Sequence, residues 1–203
     1  QQELFEPING NSVGLYTCGP TVYNYPHIGN YRAYIFTDIL KRHLKYSGYS
    51  VKHVMNITDV DDKTIRDSKA LGKSLKEFTE FYTEEFFKDR DALNIIPPDK
   101  YTKATDYIDE MVKIIEQLID KGHAYRSPDG SVYFDIHTDP NYGKLSGFNI
   151  ATLKRNADNR LKVDEYEKEN AQDFALWKAW DENDEDVFWE TSLGKGRPGW
   201  HIE

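Results

Sequence analysis

Two kinds of reactive side chain lie close together near the start of the sequence. Cys18 is the only cysteine of the chain, and a His-x-Gly-Asn pattern follows soon after it at His27, Gly29 and Asn30. A cysteine thiolate at the end of a strand acts either as a nucleophile or as a soft ligand for zinc. A lone intracellular cysteine is also commonly a small buried hydrophobic residue. One cysteine does not decide between these roles.

The histidine pattern has the composition of an anion-binding turn at the start of a helix. His27 and Asn30 are three residues apart, so both side chains can face the same bound group. Gly29 lets the backbone approach a base or a phosphate without a Cβ in the way, and free N–H groups at a helix N-terminus favour negative charge. This predicts a nucleotide triphosphate as the ligand. The alternative is a surface histidine in a turn that follows Pro26.

The segments around these residues predict a β-α-β unit. Residues 13–17 form a short apolar run of strand composition, and apolar side chains recur at helical spacing over residues 31–46. Ser47-Gly48 then supplies a stop signal, and residues 49–57 return to strand composition. Parallel sheets that bind nucleotides are built from such units, with ligands at the carboxyl ends of the strands. Cys18 lies where the first strand ends.

Two further helices are predicted before a break at Pro97-Pro98. The first is expected to be capped by Thr58 or Asp59, with acidic residues in its first turn that complement the helix dipole. The second covers residues 74–93 with Ser74 as its cap.

The pattern changes after the prolines and predicts a small α+β region. An amphipathic helix is expected over residues 104–121, ended by Gly122. Residues 124–126 and 131–136 are interpreted as a hairpin, residues 154–172 as an exposed polar loop, and residues 173–180 as a strand. The acidic run 181–186 is interpreted as a solvated turn.

Composition excludes several classes of protein. With 203 residues, of which 38% are hydrophobic and 14% aromatic, the chain can bury a core and is neither disordered nor fibrous. The single cysteine excludes an internal disulfide framework, and the formal charge of -9 argues against a broad nucleic-acid surface. The sequence shows no membrane-spanning run and no signal peptide, which predicts a cytoplasmic protein.

Four runs in order along the chain resemble cysteinyl-tRNA synthetases, and together they cover essentially its whole length. They are YTCGPTVYNYPHIGN at 16–30, NITDVDDK at 56–63, DALNI at 91–95 and GRPGWHIE at 196–203. The resemblance implies a class I aminoacyl-tRNA synthetase with a partial Rossmann-like nucleotide-binding α/β fold and an α+β connective-peptide insertion. It assigns residues 1–100 to the first half of the catalytic domain, 101–194 to the insertion and 195–203 to the return toward the second half.

The resemblance also implies the site residues. Cys18 matches a ligand of a catalytic zinc that binds the thiolate of the substrate. His27, Gly29 and Asn30 match the HIGH signature, with Asn30 in place of the last histidine, and His27 and Asn30 take the catalytic role. The residues implied for binding ATP are Gly19, Tyr23, His27, Gly29 and Asn30, and those implied for binding cysteine are Gly19, Thr58 and Trp200.

Further partners follow from the same resemblance. They are ATP with Mg²⁺, cysteine and tRNA(Cys). The enzyme itself is expected to be a monomer. In the family the remaining zinc ligands, the KMSKS loop and the tRNA-binding helices come after the position of Glu203. The isolated 203-residue chain is therefore expected to bind zinc weakly and to form no cysteinyl-adenylate, since one thiolate does not complete a zinc site.

Simpler interpretations stand beside these assignments. Thr58 and Asp59 would be only helix caps, Trp200 would be ordinary core, and residues 195–199 would be a connection into a helix. Two other functions also remain open: a ligase that joins cysteine to an amino sugar in mycothiol synthesis, and a non-catalytic nucleotide- or metal-binding module derived from the family.

Overall fold

The computed structural model describes residues 4–145, 147 and 173–203. The chain divides into two compact units, Gln1–Tyr107 and Ile108–Glu203. The assignment of residues 1–100, 101–194 and 195–203 to parts of a catalytic domain stays a prediction.

The first unit contains the predicted β-α-β arrangement, enlarged by a third strand. In chain order its elements are β1 (Ser12–Thr17), α1 (Ile28–Tyr46), β2 (Ser50–Ile57), α2 (Asp62–Ala70), α3 (Leu75–Ala92), β3 (Lys100–Lys103) and a 3-10 helix (Ala104–Tyr107). The three strands form a parallel sheet in the order β1-β2-β3. The carboxyl ends of all three therefore lie at one edge of the sheet, where parallel α/β folds bind ligands.

Helix caps explain where α2 and α3 begin. Ser74 caps α3, as predicted, and its hydroxyl accepts the N–H of Glu77. The prediction that Thr58 or Asp59 caps α2 is wrong, because α2 is capped by Asp61, whose carboxylate accepts the N–H of Lys63. Thr58 and Asp59 are thus released for other contacts.

Two apolar clusters hold the helices onto the sheet of the first unit. One is built mainly of aromatic side chains from α1 and α3 around Met55 on β2, and its buried members are Tyr31, Tyr34, Met55, Phe86 and Ile95. The other joins Val13, Leu44 and Val51 at the amino ends of β1 and β2. Both faces of β2 contribute buried residues, as expected for the middle strand of a parallel sheet.

The second unit is an antiparallel sheet with one long helix. Its elements are α4 (Ile108–Asp120), β4 (Ala124–Arg126), β5 (Val132–Phe134), a 3-10 helix (Ile136–Thr138), β6 (Phe174–Ala179), β7 (Trp189–Thr191) and β8 (Gly194–Pro198). The strand order is β4-β5-β6-β8-β7. Ile115 of α4, Val132 of β5 and Trp177 of β6 are fully buried in its core.

Three predictions for this part of the chain are corrected. The predicted helix over 104–121 begins as a 3-10 turn and becomes α-helical only at Ile108. Residues 195–199, interpreted as a connection, are mostly strand, because residues 195–198 belong to β8, which pairs with β6 and β7. The acidic run 181–186 is not wholly solvated, since Asp184 is buried against Arg197. The polar loop predicted over 154–172 lies outside the described residues.

Among the described residues, no helix has both the length and the apolar character needed to cross a membrane.

Candidate functional site

The segment that follows β1 contains one more residue than the segment of β2 that lies beside it. The β1–β2 ladder ends at the pair Thr17 and Met55, and an isolated parallel bridge then joins Thr21 to Thr58. Between these two pairs the segment after β1 advances four residues (21 − 17), and the segment at the end of β2 advances three (58 − 55). One-residue surpluses of this kind displace a residue from the ladder and often lie next to active sites. Cys18 lies in the surplus and is exposed.

Hydrogen bonds from β2 and the residue after it hold this displaced segment, which we call the Cys18 loop (residues 17–22). Two of them involve β2 side chains: the Thr17 hydroxyl lies 2.8 Å from Nε2 of His53, and the Gly19 N–H donates to Oδ1 of Asn56 at 2.7 Å. Two are backbone bonds, from the Thr58 N–H to the Pro20 carbonyl and from the Val22 N–H to the Thr58 carbonyl, both 3.1 Å. The exposed thiol therefore rests on a fixed backbone.

Gly19 is required by this packing. A Cβ built on Gly19 would lie 1.8 Å from the carbonyl oxygen of Asn56, which no rotation of a side chain relieves. The glycine therefore allows the loop to approach β2 closely enough for its N–H to reach the Asn56 amide.

The start of α1 is closed by its own side chains. His27 is the N-cap residue, and its Nδ1 accepts the Gly29 N–H at 2.9 Å, while Oδ1 of Asn30 accepts the His27 N–H at 3.0 Å. This reciprocal arrangement is a capping box. Because Nδ1 accepts a hydrogen bond, the neutral imidazole carries its proton on Nε2. His27, Gly29 and Asn30 are all exposed, so Nε2 can donate to a bound group.

Gly29 leaves room for the imidazole of His27. A Cβ at this position would lie 2.6 Å from Cε1 of His27 and 2.9 Å from Nδ1. Only glycine at position 29 permits the His27 ring to fold back over the first turn of α1 and accept the N–H of residue 29.

Tyr23 lies in the connection between the Cys18 loop and α1. The ammonium group of Lys63, in the first turn of α2, lies 5.2 Å from the centroid of the Tyr23 ring. This distance is within the range of a cation–π interaction. A positive charge is thereby held beside a residue predicted to bind ATP.

Thr58 and Asp59 belong to the carboxyl end of β2 rather than to a helix cap. Thr58 is 2% exposed and bridges the Cys18 loop through its backbone. The carboxylate of Asp59 accepts the N–H of Thr105 at 3.0 Å and its hydroxyl at 2.6 Å, so it joins the end of β2 to the segment after β3. Burial raises the pKa of Asp59, although the two bonds from Thr105 act in the opposite direction.

Trp200 lies in the second unit and is 56% exposed, so the interpretation of it as a core residue is wrong. Its ring meets that of His201 edge to face at 5.0 Å, and His201 in turn contacts Phe174. Burial lowers the pKa of His201. The role of Trp200 in binding the amino acid stays a prediction.

Comparison with known proteins supplies the family. The family model described as the tRNA synthetases class I (C) catalytic domain matches residues 4–203. The chain belongs to this family. The match confirms the resemblance to cysteinyl-tRNA synthetases, which the order of four sequence runs had indicated.

Curated relatives of this synthetase domain match it from end to end. A protein named cysteine–tRNA ligase from Brachyspira hyodysenteriae is 56% identical over 203 residues, which are 100% of this chain and 43% of that protein. Another of the same name, from Chlamydia muridarum, is 53% identical over 204 residues, again 100% of this chain and 42% of the relative. The chain thus spans less than half the length of the curated relatives it matches.

The likeness to solved structures concerns the fold of the synthetase domain. Methionyl-tRNA synthetase of Mycobacterium tuberculosis, bound by methionyl-adenylate, superposes with a TM-score of 0.59 at 15% identity. The superposition covers 83% of this chain and 41% of that one. It agrees with the parallel sheet of the first unit and confirms the predicted Rossmann-like α/β class.

His53 and Asn56, which bond the Cys18 loop, were not singled out from the sequence, and Asp59 was considered only as a helix cap. His53 and Asn56 lie on β2, and Asp59 follows it, yet each reaches across to another segment through its side chain. The available signal was polarity within an apolar strand: a histidine or an asparagine in a run that is otherwise Val, Met and Ile needs a hydrogen-bonding partner when buried.

The thiol of Cys18 has the chemistry of a single zinc ligand. It is exposed, it is not in a disulfide, and it lies at the carboxyl end of a parallel strand. Within the described part of the chain, no group of three His, Cys, Asp or Glu side chains is arranged to hold a metal ion. Cys18 would therefore act with ligands from elsewhere.

Proposed function

We propose that the polypeptide containing this chain is a cysteine–tRNA ligase that activates cysteine with ATP and transfers it to tRNA(Cys). The observation that carries this proposal is the exposed Cys18 thiol, held on a fixed loop directly before the capped start of α1. Whole-chain identity of 56% to a protein named cysteine–tRNA ligase supports the choice of amino acid.

The start of α1 is proposed to bind ATP. His27 presents Nε2–H to solvent, and Asn30 uses its carbonyl oxygen in the capping box, which leaves its NH₂ group to donate. Two donors at a helix N-terminus are suited to the α-phosphate, where charge develops while the cysteine carboxylate attacks. Gly19, Tyr23 and Gly29 complete the proposed nucleotide site, with Mg²⁺ accompanying the triphosphate.

Cys18 is proposed as one ligand of a zinc ion, with the other ligands outside this chain. Zinc, when bound, supplies a soft acceptor for the substrate thiolate and so favours cysteine over serine. Gly19, Thr58 and Trp200 are proposed to surround the amino acid: Thr58 by hydrogen bonding and Trp200 as an apolar wall. Selection of a sulfur atom by a metal gives stronger discrimination than the loss of a methylene contact does.

The proposal is tested with the full-length polypeptide and its Cys18→Ser variant. The wild-type protein should catalyse cysteine-dependent exchange of pyrophosphate into ATP and should charge tRNA(Cys). In the variant, the KM for cysteine should rise at least roughly a hundredfold, since losing a ligand exceeds the cost of losing an outer-shell partner. The KM for ATP should change far less.

The remaining outcomes separate the alternatives. Transfer of activated cysteine to an amino sugar rather than to tRNA would assign the protein to mycothiol synthesis. Absence of any cysteine-dependent exchange in the full-length protein would favour a non-catalytic module. Equal rises in both KM values for Cys18→Ser would contradict the role of Cys18 as a zinc ligand.

A further inference from the structure

Two side chains of β2 hold the residues on either side of Cys18. On one side His53 bonds the hydroxyl of Thr17, and on the other Asn56 accepts the N–H of Gly19 at 2.7 Å. Asn56 is buried, with 8% of its surface exposed. Cys18 itself lies between these two bonds and remains exposed.

The bond from Asn56 acts on the peptide group that follows Cys18. The Gly19 N–H belongs to the planar peptide joining Cys18 to Gly19, so fixing this N–H fixes the backbone rotation after the Cα of Cys18. The rotation before that Cα is restrained by Thr17, the last residue of β1 paired in the ladder. With both rotations restrained, the direction of the Cys18 Cα–Cβ bond is set.

A side chain does this work because the backbone ladder is interrupted here. The surplus residue separates the pair Thr17–Met55 from the bridge Thr21–Thr58, and Asn56 lies opposite the gap. The carbonyl of Asn56 already occupies the space where a Cβ of Gly19 would lie. The side-chain oxygen of Asn56 then accepts the Gly19 N–H, which is not bonded within the β1–β2 ladder.

We propose that Asn56 is a positioning residue that, through the Gly19 peptide, orients the Cys18 thiol for its proposed role as a zinc ligand. The proposal rests on the proposed function for its effect on cysteine, but its structural part concerns only the Cys18 loop.

The test compares two variants of the full-length polypeptide. Asn56→Ala removes the acceptor, whereas Asn56→Asp keeps an oxygen in the same place. In Asn56→Ala, hydrogen–deuterium exchange of the Gly19 amide, measured by fragment-resolved mass spectrometry, should become faster. The KM for cysteine should rise roughly tenfold, as expected for the loss of one hydrogen bond, with less than about a twofold change in the KM for ATP. Asn56→Asp should retain slow exchange and a cysteine KM close to that of the wild type.

A buried hydrogen bond elsewhere in the same unit supplies the control. Ser68, on α2, is buried and donates to the carbonyl of Ile65, so Ser68→Ala removes one bond without touching the Cys18 loop. It should leave Gly19 exchange and the cysteine KM unchanged. Unchanged Gly19 exchange in Asn56→Ala, equal rises in both KM values, or the same effects in Ser68→Ala would overturn the proposal.

The proposed function and the positioning role of Asn56 can be contradicted separately. If the wild-type protein shows no cysteine-dependent exchange of pyrophosphate, the proposed function fails, while Gly19 exchange still decides whether Asn56 holds the loop. If the wild-type protein is active and Gly19 exchange does not respond to Asn56→Ala, only the positioning role fails.

Discussion

His27 accepts the backbone N–H of Gly29 through Nδ1. Glycine is the only residue type at position 29 that leaves room for the His27 ring in this position. The histidine and the glycine of the signature are thus mechanically coupled. The orientation of Nε2 depends on a hydrogen atom in place of a Cβ at the second residue of α1.

Gly29→Ala is expected to impair activity without destabilising the protein. Alanine suits a helix better than glycine by about 1 kcal/mol, which offsets the loss of the His27 cap bond when the new Cβ displaces the imidazole, so the thermal midpoint should change little. We expect the rate of ATP-dependent activation to fall at least roughly tenfold. The measurement is cysteine-dependent pyrophosphate exchange beside a thermal melt of the full-length polypeptide.

A double-mutant cycle identifies the cause of that loss. If Gly29→Ala acts by moving His27, then it should have little further effect in a His27→Ala background. Additive losses in the double variant would show that the methyl group obstructs ATP directly.

Asn30→Asp should separate the structural role of residue 30 from its role toward ATP. An aspartate keeps the oxygen that accepts the His27 N–H, and its charge suits a helix N-terminus. Stability should be maintained, while the KM for ATP rises because the carboxylate repels phosphate. Asn30→Ala should instead lose about 1 kcal/mol of stability through the missing cap. A stable Asn30→Asp variant with an unchanged KM for ATP would contradict a phosphate contact.

His53 should make the stability of the first unit depend on pH. Burial and the nearby Lys41 lower the pKa of His53, with Asp99 acting in the opposite direction, and its Nδ1 is buried without a hydrogen-bond partner in the described structure. A lowered pKa means that the folded state binds the proton less readily than the unfolded state does. The contribution of the neutral ring is thus present above pH 6.5, the ordinary value, and is lost as the pH falls through the lowered pKa.

The matching experiment follows the thermal midpoint of full-length wild type, His53→Gln and Ser68→Ala between neutral and acidic pH. His53→Gln should reduce the loss of stability on acidification, while Ser68→Ala should follow the wild-type profile from a lower starting point. Parallel profiles for His53→Gln and the wild type would contradict the assignment.

The buried ion pair of Arg197 and Asp184 should be important to the stability of the second unit. Nε of Arg197 donates to Oδ1 of Asp184 at 2.8 Å, and the two side chains are 8% and 4% exposed. Removing one partner of a buried pair typically costs about 3–5 kcal/mol, because the other charge is left uncompensated. We expect Asp184→Ala to have an effect of this size, measured by urea unfolding with tryptophan fluorescence.

The neighbouring Asp186 provides the matched control for this pair. It lies in the same acidic turn and is exposed, so Asp186→Ala should change stability by less than about 0.5 kcal/mol. Similar losses for both variants would mean that the turn, and not the buried pair, stabilises the unit.

The sequence was sufficient for elements defined by their own periodicity. The strands and helix of the β-α-β unit, and the Ser74 cap of α3, follow from local patterns. β3 was missed because its four residues, KYTK, carry little apolar signal and become a strand through pairing with β2. β8 was missed because its Gly and Pro residues obscure the strand pattern, although one of its partners, β7, lies just before it in sequence.

The candidate site shows the same division between local and long-range information. The position of Cys18 at the end of β1 and the paired residues His27 and Asn30 could be predicted from local order. The bonds from His53 and Asn56 to the Cys18 loop join residues more than thirty positions apart, so no local pattern specifies them. The burial of Asp184 likewise depends on Arg197 and is hidden within an acidic run.

The surplus residue between Thr17 and Thr21 acts as a phase shift in the alternation of side chains. Strand residues point to opposite faces with a period of two, so one additional residue reverses which face each later side chain would take relative to β2. Deleting one residue between Cys18 and Thr21 is expected to return Thr21 and Val22 to the earlier phase and to bring Cys18 into the ladder. Length is therefore the property of this segment that tolerates least change, and tags or insertions that ordinary surface loops accept should be excluded from it.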